Sequence, residues 1–285
     1  MRMEPSFCGW YFKVQSSECS LALISAVHGS AEESAASLQI LWGEQSGVVP
    51  IPAVRAAVNW AGPRAILGEN LFCPHGVVLS VRNARWNIQG ILRFGPLKPL
   101  HVPIMGPFAL LPFMECSHRI ASMKHRVDGT LFVNGKRIRF ENAEGYIEGD
   151  RGRSFPREYA WSQGLFPEGS LMLAAARVPV GPIAFPGVIA LLRIRDREYR
   201  FASYLGARLV SVRAGRVEIR QGCLVLIAER LGQAGQPLNA PVCGGMTRTI
   251  RENLCCRVRY QLRKDGFILW ELEADRASFE LEYPC

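Results

Sequence analysis

The stretch GTLFVNGKRIRFENAEGYIE, residues 129–148, decides the fold class of this 285-residue chain. Apolar and polar residues alternate on both sides of Asn134-Gly135, a dipeptide that two-residue hairpin turns favour. Successive side chains of a strand point to opposite faces of the sheet. The pattern therefore predicts two antiparallel strands joined by a tight turn.

The same rhythm continues through the second half of the chain, in residues 187–206 and 207–231. The stretch CRVRYQLRKDGFILWELEAD, residues 256–275, adds a second hairpin signal at Asp265-Gly266. The best helical candidate, PAVRAAVNWAG at residues 52–62, is short and is followed by Pro63. Short strands with regular turn signals predict an all-β chain built as antiparallel barrels or sandwich halves.

The length suits two barrel-like halves. We place them at residues 1–144 and 145–285, the second beginning with the polar segment described below. A single continuous domain over residues 7–283 is the alternative.

The net charge of +9 is spread evenly over the two halves. Nucleic-acid binders usually concentrate basic residues in a stripe or tail, so we expect no nucleic-acid partner. The charge leaves peripheral contact with anionic membranes open. The start of the chain lacks the pattern of a secretory signal, and the longest apolar stretch, residues 102–114, is short and broken by Gly and Pro. We therefore expect a cytoplasmic protein without a transmembrane segment.

Cysteine and histidine usage argues against a metal centre. The nine cysteines include no CxxC pair, which predicts free and mostly buried thiols in a reducing compartment. Cys116, His118 and His125 alone resemble local ligands, too few for a zinc site, so we expect no metal. A structural role suits His118 best. The alternative is that His118 and Glu115 line a cavity and handle protons.

The segment GYIEGDRGRSFPREYAWSQG, residues 145–164, is unusually rich in acids, arginines and aromatic residues. On a continuing strand Tyr146 and Glu148 share one face, and Trp161 and Gln163 share a face of the strand that follows Pro156. Such residues inside a barrel would suit a flat, largely apolar ligand. An equally weighted alternative is a strand-crossing loop with surface arginines and a tryptophan packed in the core.

This segment resembles the signature of the tocopherol cyclase family, a Tyr-x-Glu…Gly-x-x-Phe-Pro…Trp-x-Gln pattern at mid-chain. Three further blocks are similar to the family: GWYFKVQ at residues 9–15, the stretch 104–140 before the signature, and GQPLNAPVCGGMTRTIRENL at residues 235–254. The resemblance thus extends from Gly9 to about Tyr283.

The resemblance implies two lipocalin-like antiparallel barrels. It also implies a reaction in which an acid protonates the alkene of a prenylated hydroquinone and the phenol oxygen closes a chromanol ring. That chemistry requires no redox cofactor, nucleotide or metal, and its partner is an apolar small molecule. By the same resemblance Glu148 and Asp150 are the catalytic candidates. The substrate-binding candidates are Trp10, Tyr11, Glu115, His118, His125, Tyr146, Phe155, Trp161 and Gln163.

Three positions depart from the family pattern: Arg119, Arg151 and Gly164 stand where Gly, Trp and Asn are usual. Three functions stay open on this basis. The retained acids and aromatic residues favour an intramolecular cyclase, whereas Arg151 and Gly164 favour a non-catalytic lipocalin-like carrier. A hydratase, in which water traps the carbocation, would use the same acid.

Of the two acids, Glu148 is the better candidate for the proton donor. It shares a face with Tyr146, and burial there would keep its carboxyl group protonated. Asp150 lies next to Arg151 in the chain, and that positive charge would favour the ionised form.

Overall fold

The alternating stretches of the sequence form β-strands throughout the computed structural model of the chain, which describes residues 6–29, 34–111, 114–180, 183–232 and 235–283. Helix in these residues is limited to short 3₁₀ turns at Ala53–Arg55, Gly106–Leu110 and Ser203–Leu205. The best helical candidate of the sequence thus supplies one turn and then a strand. The prediction of an all-β chain is confirmed.

In chain order, the strands of the described residues are β1 Ser6–Gln15, β2 Ser20–Gly29, β3 Ser34–Trp42, β4 Gln45–Ile51, β5 Ala56–Asn59, β6 Arg64–Leu67, β7 Asn70–Cys73, β8 Gly76–Arg82, β9 Asn87–Phe94, β10 Cys116–Val133, β11 Lys136–Gly152, β12 Tyr159–Phe166, β13 Gly169–Val180, β14 Ile183–Ile194, β15 Arg197–Ala202, β16 Arg208–Arg213, β17 Arg216–Gln221, β18 Leu224–Leu231, β19 Gln236–Val242, β20 Gly245–Lys264 and β21 Phe267–Leu281.

The first sheet contains eleven of the described strands, in the order β4-β3-β2-β1-β11-β10-β9-β8-β7-β6-β5. Strand β1 pairs with β11, and β9 pairs with β10, in antiparallel register. Strand β5 at one edge approaches β2, and the indole nitrogen of Trp10 in β1 donates a hydrogen bond to the Asn59 carbonyl at 2.9 Å. The sheet therefore curls into a nearly closed barrel.

The second sheet runs β15-β14-β13-β12-β21-β20-β18-β17-β16, with β19 paired to β20 beside this path. Strands β14 and β16 approach each other, so this sheet also curls. Two lipocalin-like antiparallel sheets are what the resemblance implied.

Backbone contacts divide the chain into two units. The first comprises Met1–His101, His118–Ser154 and Leu238–Arg248, and the second comprises Val102–Ser117, Phe155–Pro237 and Thr249–Cys285. Strand β11 belongs as a whole to the first unit. Each unit has its own apolar core: the first is built around Trp10, Phe12 and Phe72, and the second around Phe201 and Phe279.

Both hairpin turns predicted from the sequence are present. Asn134 and Gly135 have φ angles of 50° and 81°, and Asp265 and Gly266 have 50° and 86°. Positive φ at both central residues is the requirement of a type I′ turn, whose twist matches that of the flanking strands.

The cysteines are free, as the sequence predicted, but their burial differs from the prediction. The eight described cysteines are free, but none is buried: Cys223, Cys243 and Cys255 are exposed, and the other five are half-buried. The expectation of mostly buried thiols is therefore wrong. Even Cys19 and Cys256, which pack against the two apolar cores, are only half-buried. No helix in the described part of the chain is long and apolar enough to cross a membrane.

Candidate functional site

Strand β11 separates its residues cleanly between the two faces of the first sheet. Ile147 belongs to the apolar core, and a Cβ at Gly149 would lie 2.6 Å from the Trp10 ring, so glycine is needed for that ring to pack under the strand. Tyr146, Glu148 and Asp150 alternate with these residues and lie on the opposite face. The acids of this strand therefore lie on the face turned away from the apolar core of the first unit.

The neighbouring strand β1 adds two more residues to this face. Tyr11 stands directly opposite Glu148, and Lys13 stands directly opposite Tyr146. Lys13 is only 1% exposed, which is rare for a lysine. Lys13 was not among the residues predicted from the sequence, although a lysine inside the apolar stretch GWYFKVQ is unusual and could have indicated it.

A connected chain of polar groups occupies the same face. The Tyr146 hydroxyl donates to Glu148 Oε2 at 2.5 Å, and His118 Nε2 lies 3.2 Å from the same oxygen. On the other side of the imidazole, Nδ1 lies 2.9 Å from Asp150 Oδ1. We call Tyr146, Glu148, His118 and Asp150 the acid cluster. The contact of Nε2 with Glu148 is an ion pair rather than a well-aligned hydrogen bond.

The surroundings of His118 favour its protonated form. Burial lowers the pKa of the imidazole, but the charges of Asp150 and Glu148, together with the hydrogen bond to Asp150, outweigh burial and raise the pKa to about 10. Burial and the charge of Glu148 raise the pKa of Tyr146 well above its ordinary value, so Tyr146 keeps its proton. The acid cluster thus holds a proton on His118 at neutral pH.

Among the described residues, His118, Glu148 and Asp150 are the group that could hold a metal ion, since their donor atoms lie within 4.8 Å of one another. Neither Cys116 nor His125, the ligands considered from the sequence, belongs to this group. Each ring nitrogen of His118 faces a different carboxylate, which makes the imidazole a bridge between two acids.

Trp10 and His125, two further candidates from the sequence, do not join the acid cluster. Trp10 is a fully buried core residue on the other face of β1. His125 packs edge-on against Phe94 and receives or donates a hydrogen bond with Ser122 Oγ at 3.0 Å. Burial lowers the pKa of His125 to about 4, so this imidazole is neutral at physiological pH.

The second unit carries a buried polar face of its own. Trp161 stands opposite Glu280 in the sheet, and the Tyr159 hydroxyl donates to Glu280 Oε2 at 2.5 Å. Gln163, on the same face of β12 as Trp161, is fully buried, and its amide has no hydrogen-bond partner among the described residues. Tyr159 and Glu280 were missed from the sequence because their pairing joins residues 121 positions apart.

Phe155 and Glu115, the remaining candidates, also belong to the second unit. The Phe155 ring meets the Tyr159 ring edge-on at 6.1 Å. Glu115 is half-buried in a bend just before β10.

Three positions depart from the residues usual in the tocopherol cyclase signature: Arg119, Arg151 and Gly164. Each of them lies on the face of its strand opposite to the polar residues described above. The Arg151 guanidinium lies 5.3 Å from the centre of the Trp60 ring, and Arg119 donates to the Trp60 carbonyl at 3.0 Å. Gly164 faces the core of the second unit, where a Cβ would lie 2.9 Å from the Tyr260 ring. None of the three replaces a residue of the acid cluster.

Comparison with known proteins gives a partial sequence match. No model of a known protein family matches the chain. A chloroplastic tocopherol cyclase of Zea mays is 33% identical over 104 residues, which are 35% of this chain and 22% of that protein. The match therefore spans well under two thirds of that relative.

Solved structures resemble this fold over nearly its whole length. An AttH crystal structure from Nitrosomonas europaea aligns with a TM-score of 0.59 at 11% identity, covering 99% of this chain and 93% of that chain. Kievitone hydratase from Nectria haematococca has a TM-score of 0.57 at 9% identity, covering 98% and 90%. CghA has a TM-score of 0.58 at 10% identity, covering 98% and 88%. At these identities the likeness concerns the fold alone.

Proposed function

We propose that this chain is an acid catalyst of the tocopherol cyclase type, which closes a prenylated hydroquinone or a related isoprenoid into a chromanol-type ring. The acid cluster is the observation that carries the proposal. An imidazolium with only 11% of its side chain exposed lies between two carboxylates and stores a proton where water is scarce. The partial match to a tocopherol cyclase supports the substrate class.

The stored proton reaches the substrate through Glu148. In the resting cluster the proton lies on His118, and transfer across the 3.2 Å contact gives a neutral Glu148 carboxylic acid and a neutral imidazole. An apolar ligand that excludes water disfavours the ion pair relative to this neutral pair. In the neutral pair Glu148 carries the proton and is the group that donates it to the alkene.

The reaction then balances without any other reagent. Glu148 donates its proton to one alkene carbon, and the neighbouring carbon becomes a tertiary carbocation. The phenol oxygen of the same substrate forms the C–O bond, and its proton returns to the Glu148 carboxylate. Tyr11 and Tyr146 lie beside Glu148 and offer aromatic faces to the cation.

Because bonds are rearranged within one molecule, the proposed reaction uses no redox cofactor, nucleotide or metal. The proposed partner is an apolar small molecule. The carrier alternative rested on Arg151 and Gly164, and both side-chain positions lie away from the acid cluster. This favours catalysis over transport.

The test is incubation of the purified chain with a prenylated hydroquinone in deuterated water, followed by mass spectrometry. A cyclase gives a product with a single deuterium on the ring carbon adjacent to the carbon that carries the new ether oxygen. A hydratase gives a product heavier by one added water. Recovery of bound but unchanged substrate under all conditions would instead make the chain a carrier.

A further inference from the structure

Three consecutive apolar residues are exposed where β21 begins. Phe267, Ile268 and Leu269 expose 77%, 52% and 51% of their surface. Strand residues normally alternate between a covered and an open face, but here neither face is covered. The other neighbour of β21, β12, pairs only with Ser278–Leu281, so the beginning of β21 is a sheet edge next to the turn Asp265-Gly266.

Arginines line the same end of the sheet. Cross-strand register places Arg208 opposite Arg220, Arg220 opposite Val225, Val225 opposite Arg263, and Arg263 opposite Ile268. Residues directly opposite each other share a face of the sheet. Three arginines and two apolar residues therefore form one row that ends at the exposed apolar segment. We call Phe267–Leu269 together with this row the hairpin patch.

We propose that the hairpin patch docks the protein on an anionic lipid surface. Phe267, Ile268 and Leu269 would enter the interfacial layer, and the arginines would lie over the lipid phosphates. An exposed aromatic and aliphatic segment flanked by cations has the composition of a membrane-surface element.

The occupant is a lipid surface rather than a protein for a geometric reason. A fluid interface covers both faces of a projecting strand edge, whereas a folded partner would need a matching two-sided groove. The row of like charges also opposes the pairing of two copies through this patch, since each arginine would face another cation. Asp265, in the turn of this hairpin, adds one negative charge beside the three arginines. The patch as a whole therefore stays cationic.

This inference goes beyond the proposed function and does not rest on it, since no residue of the acid cluster takes part. Docking on a membrane would place the protein, whether it is an enzyme or a carrier, beside the lipid phase in which isoprenoid-like molecules dissolve.

The test is co-sedimentation with vesicles of phosphatidylcholine, with and without phosphatidylserine. We expect the parent protein to prefer the anionic vesicles. Replacing Phe267, Ile268 and Leu269 together by Ser should weaken binding by about tenfold or more. Replacing Arg208 and Arg220 by Gln should weaken binding to anionic vesicles by about tenfold, and added salt should mimic this change.

Two further variants make the result specific. Leu71→Ser with Ile91→Ser removes comparably exposed apolar residues from the first unit and should leave vesicle binding unchanged. Phe267→Trp should retain binding and add fluorescence that brominated lipids quench. The proposal is overturned if the parent protein does not bind vesicles or if the Ser variant binds them as tightly as the parent. It is also overturned if the parent is an oligomer that these substitutions dissociate, because the patch would then contact a second copy of the chain.

Discussion

Asp150 and Arg151 are consecutive residues of β11 that point to opposite faces of the sheet. Asp150 Oδ1 lies 2.9 Å from His118 Nδ1, and the Arg151 guanidinium lies over the Trp60 ring. Arg151, which stands where the tocopherol cyclase signature usually has Trp, therefore lies on the opposite face of the sheet from the acid cluster. Mutations at these two adjacent positions should have different consequences.

We expect Arg151→Gln to change turnover of an isoprenoid substrate by less than about threefold, because Arg151 touches no group of the acid cluster. Asp150→Asn removes one of the charges that hold the proton on His118 and should slow turnover by about tenfold or more. Steady-state rates of the two variants measure the difference. Equal losses in both would mean that Arg151 takes part in catalysis.

Glu148→Gln should reduce turnover by about 10²–10⁴-fold, because an amide cannot donate the proton that a general acid supplies. Substrate affinity should change little, since Gln has nearly the same size, whereas thermal stability should fall, because the His118 imidazolium loses one of its two carboxylate partners. The matched control is Glu144→Gln, on the same face of β11, whose carboxylate instead pairs with Lys124. Parent-like turnover by Glu148→Gln would remove Glu148 from the proposed mechanism.

The free energy of unfolding should depend on pH through His118. Its pKa is raised in the folded state from 6.5 to about 10, so the stabilisation is fully present below pH 6.5 and is lost as the pH rises through about 10. The loss is on the order of a few kcal/mol.

Urea unfolding at several pH values measures this loss directly. In His118→Gln the slope over the same window should largely disappear. A parent protein whose stability is flat over that range would show that the imidazole is not held protonated.

Gly164→Ala should destabilise the second unit by about 1–3 kcal/mol, because the new Cβ would overlap the buried Tyr260 ring. That ring is also held by a hydrogen bond between its hydroxyl and Ser162 Oγ at 2.8 Å. Denaturant unfolding measures the cost. The control is Gly62→Ala, where a Cβ would meet nothing within 4 Å. If both variants are equally stable, Tyr260 does not account for the glycine at position 164.

The sequence predicted which residues of β11 share a face, but it left open on which side of the sheet that face lies. Tyr146 and Glu148 were placed together because strand side chains alternate strictly. Ile147 and Tyr146 are both fully buried, so the stretch is covered on both faces. Alternation alone cannot say which of two buried faces is the barrel core.

The partner of Glu148 was also outside the reach of local patterns. His118 was singled out with Cys116 and His125, which lie near it in the chain. Its contacts are instead with Glu148 and Asp150, the second of these 32 residues away. Such a pairing depends on how β10 and β11 lie side by side over their whole length, which the spacing of residue types along the chain does not show.

By itself the sequence determined the all-β class and both type I′ hairpins, because alternation and the Asn-Gly and Asp-Gly turns are local properties of the backbone. It also determined that acids and aromatic residues cluster in one segment. The tertiary structure alone decided that an imidazole bridges two of those acids, that Lys13 is buried beside them, and that Arg151 lies away from them. Those outcomes depend on sheet register and curvature, which bring together residues far apart in the chain.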